Sequence, residues 1–166
     1  MAEPWRKLEG YMEFQKCTMD AFSVIGKEGA SQEGEGFVQK LWQDTNSHFD
    51  EIAHLAKRSE EGLAGFWGLM TGPKREFEPW EDNFTKGLYL AGVETEDNAL
   101  PPQGWTKWTI LAFTYIYCKV GDDYMAAFSG GLAYLEENGL ELAGAVQDYT
   151  CPQEQQAYLF FPVRRL

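Results

Sequence analysis

The chain has 166 residues, a net charge of −12 at neutral pH and a sequence pI near 4.5. A surface of that sign repels phosphate backbones, so direct contact with DNA or RNA is excluded as this chain's own task. Apolar residues at 44% and charged residues at 24% exclude a disordered chain and fit one folded domain.

Residues 1–11 are polar and form a lead-in, leaving a single domain over 12–166. A first strand is expected within 14–29, where Phe22, Val24 and Ile25 precede Gly26 and Gly29. After the Gly/Glu stretch 34–36, Phe37, Leu41, Trp42, Phe49 and Ile52 fall near helical spacing and predict a helix over about 36–56. A second strand, 62–70 (GLAGFWGLM), runs into a long hairpin loop over 71–85 broken by Gly72, Pro73 and Pro79. Trp80 and Phe84 are too apolar to be left in water there, so they fold back as a lid or pin the loop. The third strand, 86–96, contains the apolar run GLYLAGVETE; Gly92 permits a bulge or a close backbone approach, and Glu94 and Glu96 end it.

Pro101, Pro102 and Gly104 mark 97–104 as a linker. Residues 105–120 are rich in β-formers. Asp122 is the expected N-cap of a helix that Asn138-Gly139 ends near 137. A strand over 140–149, a polar turn over 150–156 and a last strand over 157–163 complete the chain.

Two β-α-β-β units emerge, about 12–96 and 105–166. Leu63-Ala64-Gly65 recurs as Leu142-Ala143-Gly144, and Tyr89-Leu90 as Tyr158-Leu159, in the same order. The fold class expected is α+β: two pseudo-symmetric β-α-β-β repeats forming facing antiparallel sheets, helices outside, with a central ligand cleft.

Aromatics reach 15%, and such an excess either lines a ligand site or fills a core. An acidic, aromatic-rich cleft suits a cation, which needs π faces and one desolvated carboxylate. The candidate acids are Glu94, Glu141 and Asp148. If Leu142 and Val146 face a helix, alternation turns Glu141 and Tyr149 into the cleft. Asp148 then lies on the core side or caps the turn. Tyr89, Tyr149 and Phe160 are expected to floor the cleft, with Trp67, Trp105, Trp108 and Tyr115 from neighbouring strands.

Cys17, Cys118 and Cys151 form no CxxC pair, and with only His48 and His54 there is no credible zinc set. Both histidines are expected at the surface. Reduced thiols, no apolar run of membrane length and no signal-peptide pattern point to a cytoplasmic chain that does not engage a membrane. No phosphate loop or nucleophile elbow is present, so no cofactor is expected.

Residues 86–94 (KGLYLAGVE), Gly104-Trp105, 139–149 (GLELAGAVQDY), Pro152 and the ending Phe161-Pro162-Val163 together resemble the GyrI-like effector-binding domain. That domain is also found at the C-terminus of AraC-type and MerR-type transcription regulators. The resemblance spans roughly Met12 to Leu166. It implies two α/β repeats around a cleft that binds small organic molecules, often aromatic cations, with aromatic faces stacked on the ligand and a buried carboxylate balancing its charge. Where many relatives carry a Glu at the start of the last strand, this chain has Tyr158.

The expected function is therefore binding of an aromatic or cationic amphipathic effector, within a bacterial transcription regulator or as a stand-alone drug-binding protein. Two alternatives stand beside it. One is a hydrolase of cyclopropane-containing or similar strained electrophiles, with a cleft carboxylate as general base. The other is a protein-interaction module like the gyrase-inhibiting relatives. These residues contain no helix-turn-helix, so any DNA-binding half belongs to a longer parent chain or a separate one.

Overall fold

The computed structural model of the chain describes residues 13–166, so the lead-in expected over 1–11 lies outside the described residues. In chain order the elements are β1 (Gln15–Met19), β2 (Phe22–Ala30), α1 (Phe37–Ser47), the short ribbon β3 (Arg58–Ser59) and β4 (Gly62–Leu63), and β5 (Phe66–Thr71). There follow the single turn α2 (Glu81–Phe84), β6 (Leu88–Thr95), β7 (Thr106–Ile110), β8 (Phe113–Lys119), α3 (Tyr124–Glu137), β9 (Gln147–Cys151) and β10 (Gln156–Arg165).

Eight strands pair in the order β1-β8-β10-β9-β5-β6-β2-β7 as one curled, antiparallel sheet. The expected α+β architecture forms, and its two facing sheets are the halves of this one sheet, joined where β5 pairs with β9. Each repeat contributes one more strand to this sheet than the sequence pattern gave, and the first also carries the short β3–β4 ribbon. The strand expected over 14–29 breaks at Asp20-Ala21, and the 105–120 stretch breaks at Leu111-Ala112. The extra strands are exchanged: β1 of the first repeat pairs with β8 of the second, and β7 of the second pairs with β2 of the first.

Alternation assigns the faces. Phe22, Val24, Trp67, Leu69, Leu90, Trp108, Tyr115 and Phe160 form one cluster on the helix-free face. Its rings bridge non-adjacent strands, with Phe22 and Trp67 centroids 4.5 Å apart. The other face carries α1 and α3. Under α3 lie Ile116, Val146, Leu159 and Phe161, and under α1 lie Tyr89 and Ala91. Gly92 pairs with Gly26, and a Cβ on Gly92 would come within 2.3 Å of the Ile25 carbonyl oxygen. This is the close backbone approach that a glycine in that strand allowed.

Three elements differ from expectation. The helix over 36–56 stops at Ser47, where the backbone leaves the helical region at the C-cap His48 with φ −118° and ψ 19°. Thr45 Oγ1 donates to the Ala91 carbonyl at 2.7 Å. Two 3₁₀ turns, Phe49–Glu51 and Ala53–Leu55, then carry Phe49 and Ile52 to Ile25 and Val93. The cap of α3 is Asp123 rather than Asp122, its carboxylate accepting from the Ala126 N–H at 3.0 Å. The strand expected over 140–149 begins only at Gln147. Upstream, the Ala143 N–H donates to the Pro162 carbonyl and the Ala145 N–H to the Phe77 carbonyl, which holds the segment in an irregular path.

Helix α3 meets β10 at Gly131, where a Cβ would lie 2.0 Å from the Phe161 ring. Alanine improves helix propensity by about 1 kcal/mol, but overpacking costs roughly 1–3 kcal/mol. Gly131→Ala is therefore expected to lower stability, and a fall in the urea midpoint at unchanged slope measures it.

Candidate functional site

On the helix-bearing face, α1 and α3 stand apart over the β5–β9 junction and leave a cavity of about 960 Å³. Seven aromatic side chains line it: Phe37, Trp42, Trp80, Phe84, Tyr89, Tyr124 and Phe128. The sheet opens beneath it. The β5–β9 ladder pairs only Phe66, Trp67 and Gly68 with Thr150, Tyr149 and Asp148. Beyond them the Gln147 side chain takes over, accepting from the Met70 N–H at 2.6 Å and donating to the Met70 carbonyl at 3.3 Å.

Asp148 is the floor of this cavity, and what surface it retains faces the cavity. Tyr89 donates its hydroxyl to Asp148 Oδ2 at 2.8 Å, while the Trp42 indole N–H donates to the Tyr89 oxygen at 3.1 Å. An indole N–H can only donate, so the chain of protons has one direction, from Trp42 through Tyr89 to Asp148. Burial pushes the Asp148 carboxyl up to about 7, against the pull of the Tyr89 hydrogen bond. Burial first, and then the Asp148 charge, push Tyr89 and Tyr124 well above the ordinary phenol range. Gly68 makes room for the arrangement, since a Cβ there would sit 1.8 Å from the Tyr89 oxygen.

The 72–87 connection closes one side. Trp80 donates its indole N–H to the Leu88 carbonyl at 3.0 Å, and Phe84 packs edge-on against Phe128 of α3, centroids 5.2 Å apart. Its Asp82, Asn83 and Phe84 are left-handed, with φ of 50°, 56° and 64°. Phe77 and Arg75 of the same loop reach the opposite face, where Phe77 meets Trp108 and Arg75 pairs with Glu28.

Of the aromatics expected in the cleft, Tyr89 lines the cavity; of the three candidate acids Asp148 does, and Trp80 and Phe84 of the 71–85 connection fold back onto it. Trp67, Trp108, Tyr115, Tyr149 and Phe160 lie together on the helix-free face, packed against one another. Glu94 joins them there, accepting from the Trp67 indole N–H at 2.9 Å with Lys57 at 4.0 Å. Trp105 packs with Ile25, Ile52 and Val93, and donates to Glu51 at 2.9 Å. Glu141 is exposed, upstream of β9, where strand alternation does not apply. Tyr158 is not the counterpart of Tyr89: Tyr89 faces the helices, whereas Tyr158 packs against the helix-free cluster.

Phe37, Trp42, Tyr124 and Phe128 complete the aromatic lining, which sequence reasoning did not assemble. Gly68, a residue without a side chain between Trp67 and Leu69, was the available signal. His48 is exposed and paired with Asp44 at 2.9 Å. Among the described residues no cluster of His, Cys, Asp and Glu could hold a metal ion, and no helix is long and apolar enough to cross a membrane.

No protein-family model and no curated protein matches the sequence. Solved structures do match. One is SAV2435 bound to tetraphenylphosphonium, with a TM-score of 0.62 and 16% identity over 92% of this chain and 94% of that one. Another is a bacterial transcription regulation protein, described as putative, from Staphylococcus aureus, with a TM-score of 0.61 and 15% identity over 93% and 99%. A third is EcmrR in complex with DNA, with a TM-score of 0.67 and 12% identity over 98% of this chain and 62% of that one. At these identities the likeness is one of fold.

Proposed function

We propose that the chain is a small-molecule binding domain of the GyrI-like kind, and that the cavity between α1 and α3 takes an amphipathic aromatic cation. The observation that carries this is the charge inventory. A carboxylate lies at the floor of a cavity walled by seven aromatic side chains, and among the described residues the lining includes no Lys, Arg or His. The counter-charge to Asp148 is therefore expected to arrive with the ligand. Aromatic faces add roughly 0.5–2 kcal/mol each to cation binding, according to desolvation. A fold neighbour bound to tetraphenylphosphonium and others among transcription regulators support the same reading, with any DNA-binding half on a longer parent or separate chain.

Tetraphenylphosphonium titrated at pH 8 is expected to change the fluorescence of Trp42 and Trp80 and to saturate at micromolar concentration. Asp148→Asn is expected to weaken that binding at least about tenfold, equivalent to ~1.4 kcal/mol. A flat titration of the native chain would rule the reading out.

A second reading rests on the same acid. A carboxyl that titrates near 7 beside a phenol is matched to general-base work on water at neutral pH. Product analysis with a cyclopropane-bearing electrophile separates the two, because binding without turnover leaves only the first.

A further inference from the structure

We propose that the cavity exchanges one proton for one positive charge, so that a monovalent organic cation enters as Asp148 loses its proton into solvent. This rests on the binding role proposed above and adds the valence and the proton linkage of the ligand.

The geometry makes proton and cation rivals for one place. Asp148 accepts from the Tyr89 hydroxyl at Oδ2 and lines the cavity. Tyr89 cannot turn its hydroxyl proton away, because its oxygen is occupied by the Trp42 donor. Oδ2 is thus held from the protein side, and the carboxyl's remaining acceptor positions meet no hydrogen-bond donor among the described residues. An acid proton on Asp148 belongs there, and so does a ligand's positive charge.

Among the described residues nothing else facing Asp148 neutralises it. Strand β5 presents Gly68 and Met70, β6 presents Tyr89, and β10 presents Ala157. Helix α1 presents Phe37, Val38 and Trp42, and α3 presents Tyr124, Met125 and Phe128. Around the mouth, Glu35 is exposed, Lys86 is paired with Asp82 at 3.0 Å, and Arg75 is held by Glu28 on the far side of the sheet. Among the described residues the titratable groups that look at Asp148 are therefore two phenols, and burial keeps both protonated at neutral pH. One acid titrates, so one charge is exchanged.

The direction with pH follows. Burial places the Asp148 titration near 7 in the empty cavity, and a bound cation draws it lower. Below pH 7 the cation must displace a proton, so affinity falls toward a tenfold loss per pH unit; above pH 7 the proton has already gone and affinity levels off.

Calorimetric titration of tetraphenylphosphonium, run in two buffers of different ionisation enthalpy, counts the protons released. The expected release is about 0.9 at pH 6 and about 0.1 at pH 8, with affinity about tenfold higher at pH 8. Asp148→Asn is expected to bind weakly and without proton release. Trp42→Phe removes the donor that makes Tyr89 a stronger acid toward the carboxylate, and is expected to move the midpoint of the pH profile upward. Binding with no proton release at pH 6 overturns the exchange and leaves the binding role standing. Release that survives in Asp148→Asn overturns the assignment to Asp148, and absence of binding at every pH removes both.

Discussion

Asp148→Asn is expected to make the protein more stable at pH 8 while leaving its stability at pH 4 almost unchanged. The folded carboxyl titrates near 7 against an ordinary value of 3.8, its burial being the main cause. Between roughly pH 4 and 7 the native state holds a proton that the unfolded chain has released, so stability falls as pH rises through that window. The slope is about 1.4 kcal/mol per pH unit, which sets a ceiling of about 4 kcal/mol for a dry carboxylate. Solvent entering the open cavity screens part of that, so a gain of about 2–3 kcal/mol for the Asn variant at pH 8 is the expected size. Below pH 4 both states are protonated and an amide replaces a neutral acid. Urea unfolding of both proteins at pH 4, 6 and 8 checks this. Glu28, held low by Arg75 and Trp108 against its own burial, and His48, held high by Asp44, titrate in both proteins and cancel in the difference. A difference that stays constant with pH would mean that Asp148 is not desolvated.

Gly68→Ala is the second large effect. The added methyl would lie 1.8 Å from the Tyr89 oxygen and 2.5 Å from both Asp148 carboxylate oxygens. Gly68 is in the centre of the sheet, paired with Ala91 on one side and Asp148 on the other, so the backbone cannot retreat. The relief available is withdrawal of Tyr89, which strands the Trp42 N–H and takes a donor from Asp148. Overpacking of about 1–3 kcal/mol then combines with about 1–3 kcal/mol for each polar group left unpartnered. A loss of about 3 kcal/mol or more is expected, together with the fluorescence response to tetraphenylphosphonium. Gly121→Ala, which meets nothing within 4 Å, is the control and should stay within about 0.5 kcal/mol of native.

Much of the sheet was legible because apolar runs and glycine punctuation report strands directly. Residues 62–70 and 86–96 pair as the hairpin β5–β6, and the long connection between them does carry Trp80 back onto the body. The site was less legible, since it depends on which face of the sheet is left unfilled. Period-two alternation with Leu142 and Val146 toward the helix already set Asp148 on the helix side, but the cleft was expected on the opposite face with Glu141. The cavity lies on the helix-bearing face, and Glu141 lies upstream of a strand that begins at Gln147. Face also separated Tyr89 from Tyr158, where an echo of two letters concealed a shift from one side of the sheet to the other. On α1, Phe37 and Trp42 at helical spacing read as ordinary core. That they border an unfilled volume depends on how far α3 stands from α1, which no local pattern encodes.

The exchange of β1 and β7 gives the order of residues a meaning in time. As the chain leaves the ribosome, β2, β5 and β6 can pair and α1 can cover them, which puts Trp42 and Tyr89 in place early. Strand β1 has no partner until β8 is made, nearly a hundred residues later, and such distant pairings form slowly. Gln147 and Asp148 are made later still, and they join the halves and supply the carboxylate in one step. A chain that stops short of β9 would thus hold Trp42 and Tyr89 without the acid that Tyr89 donates to.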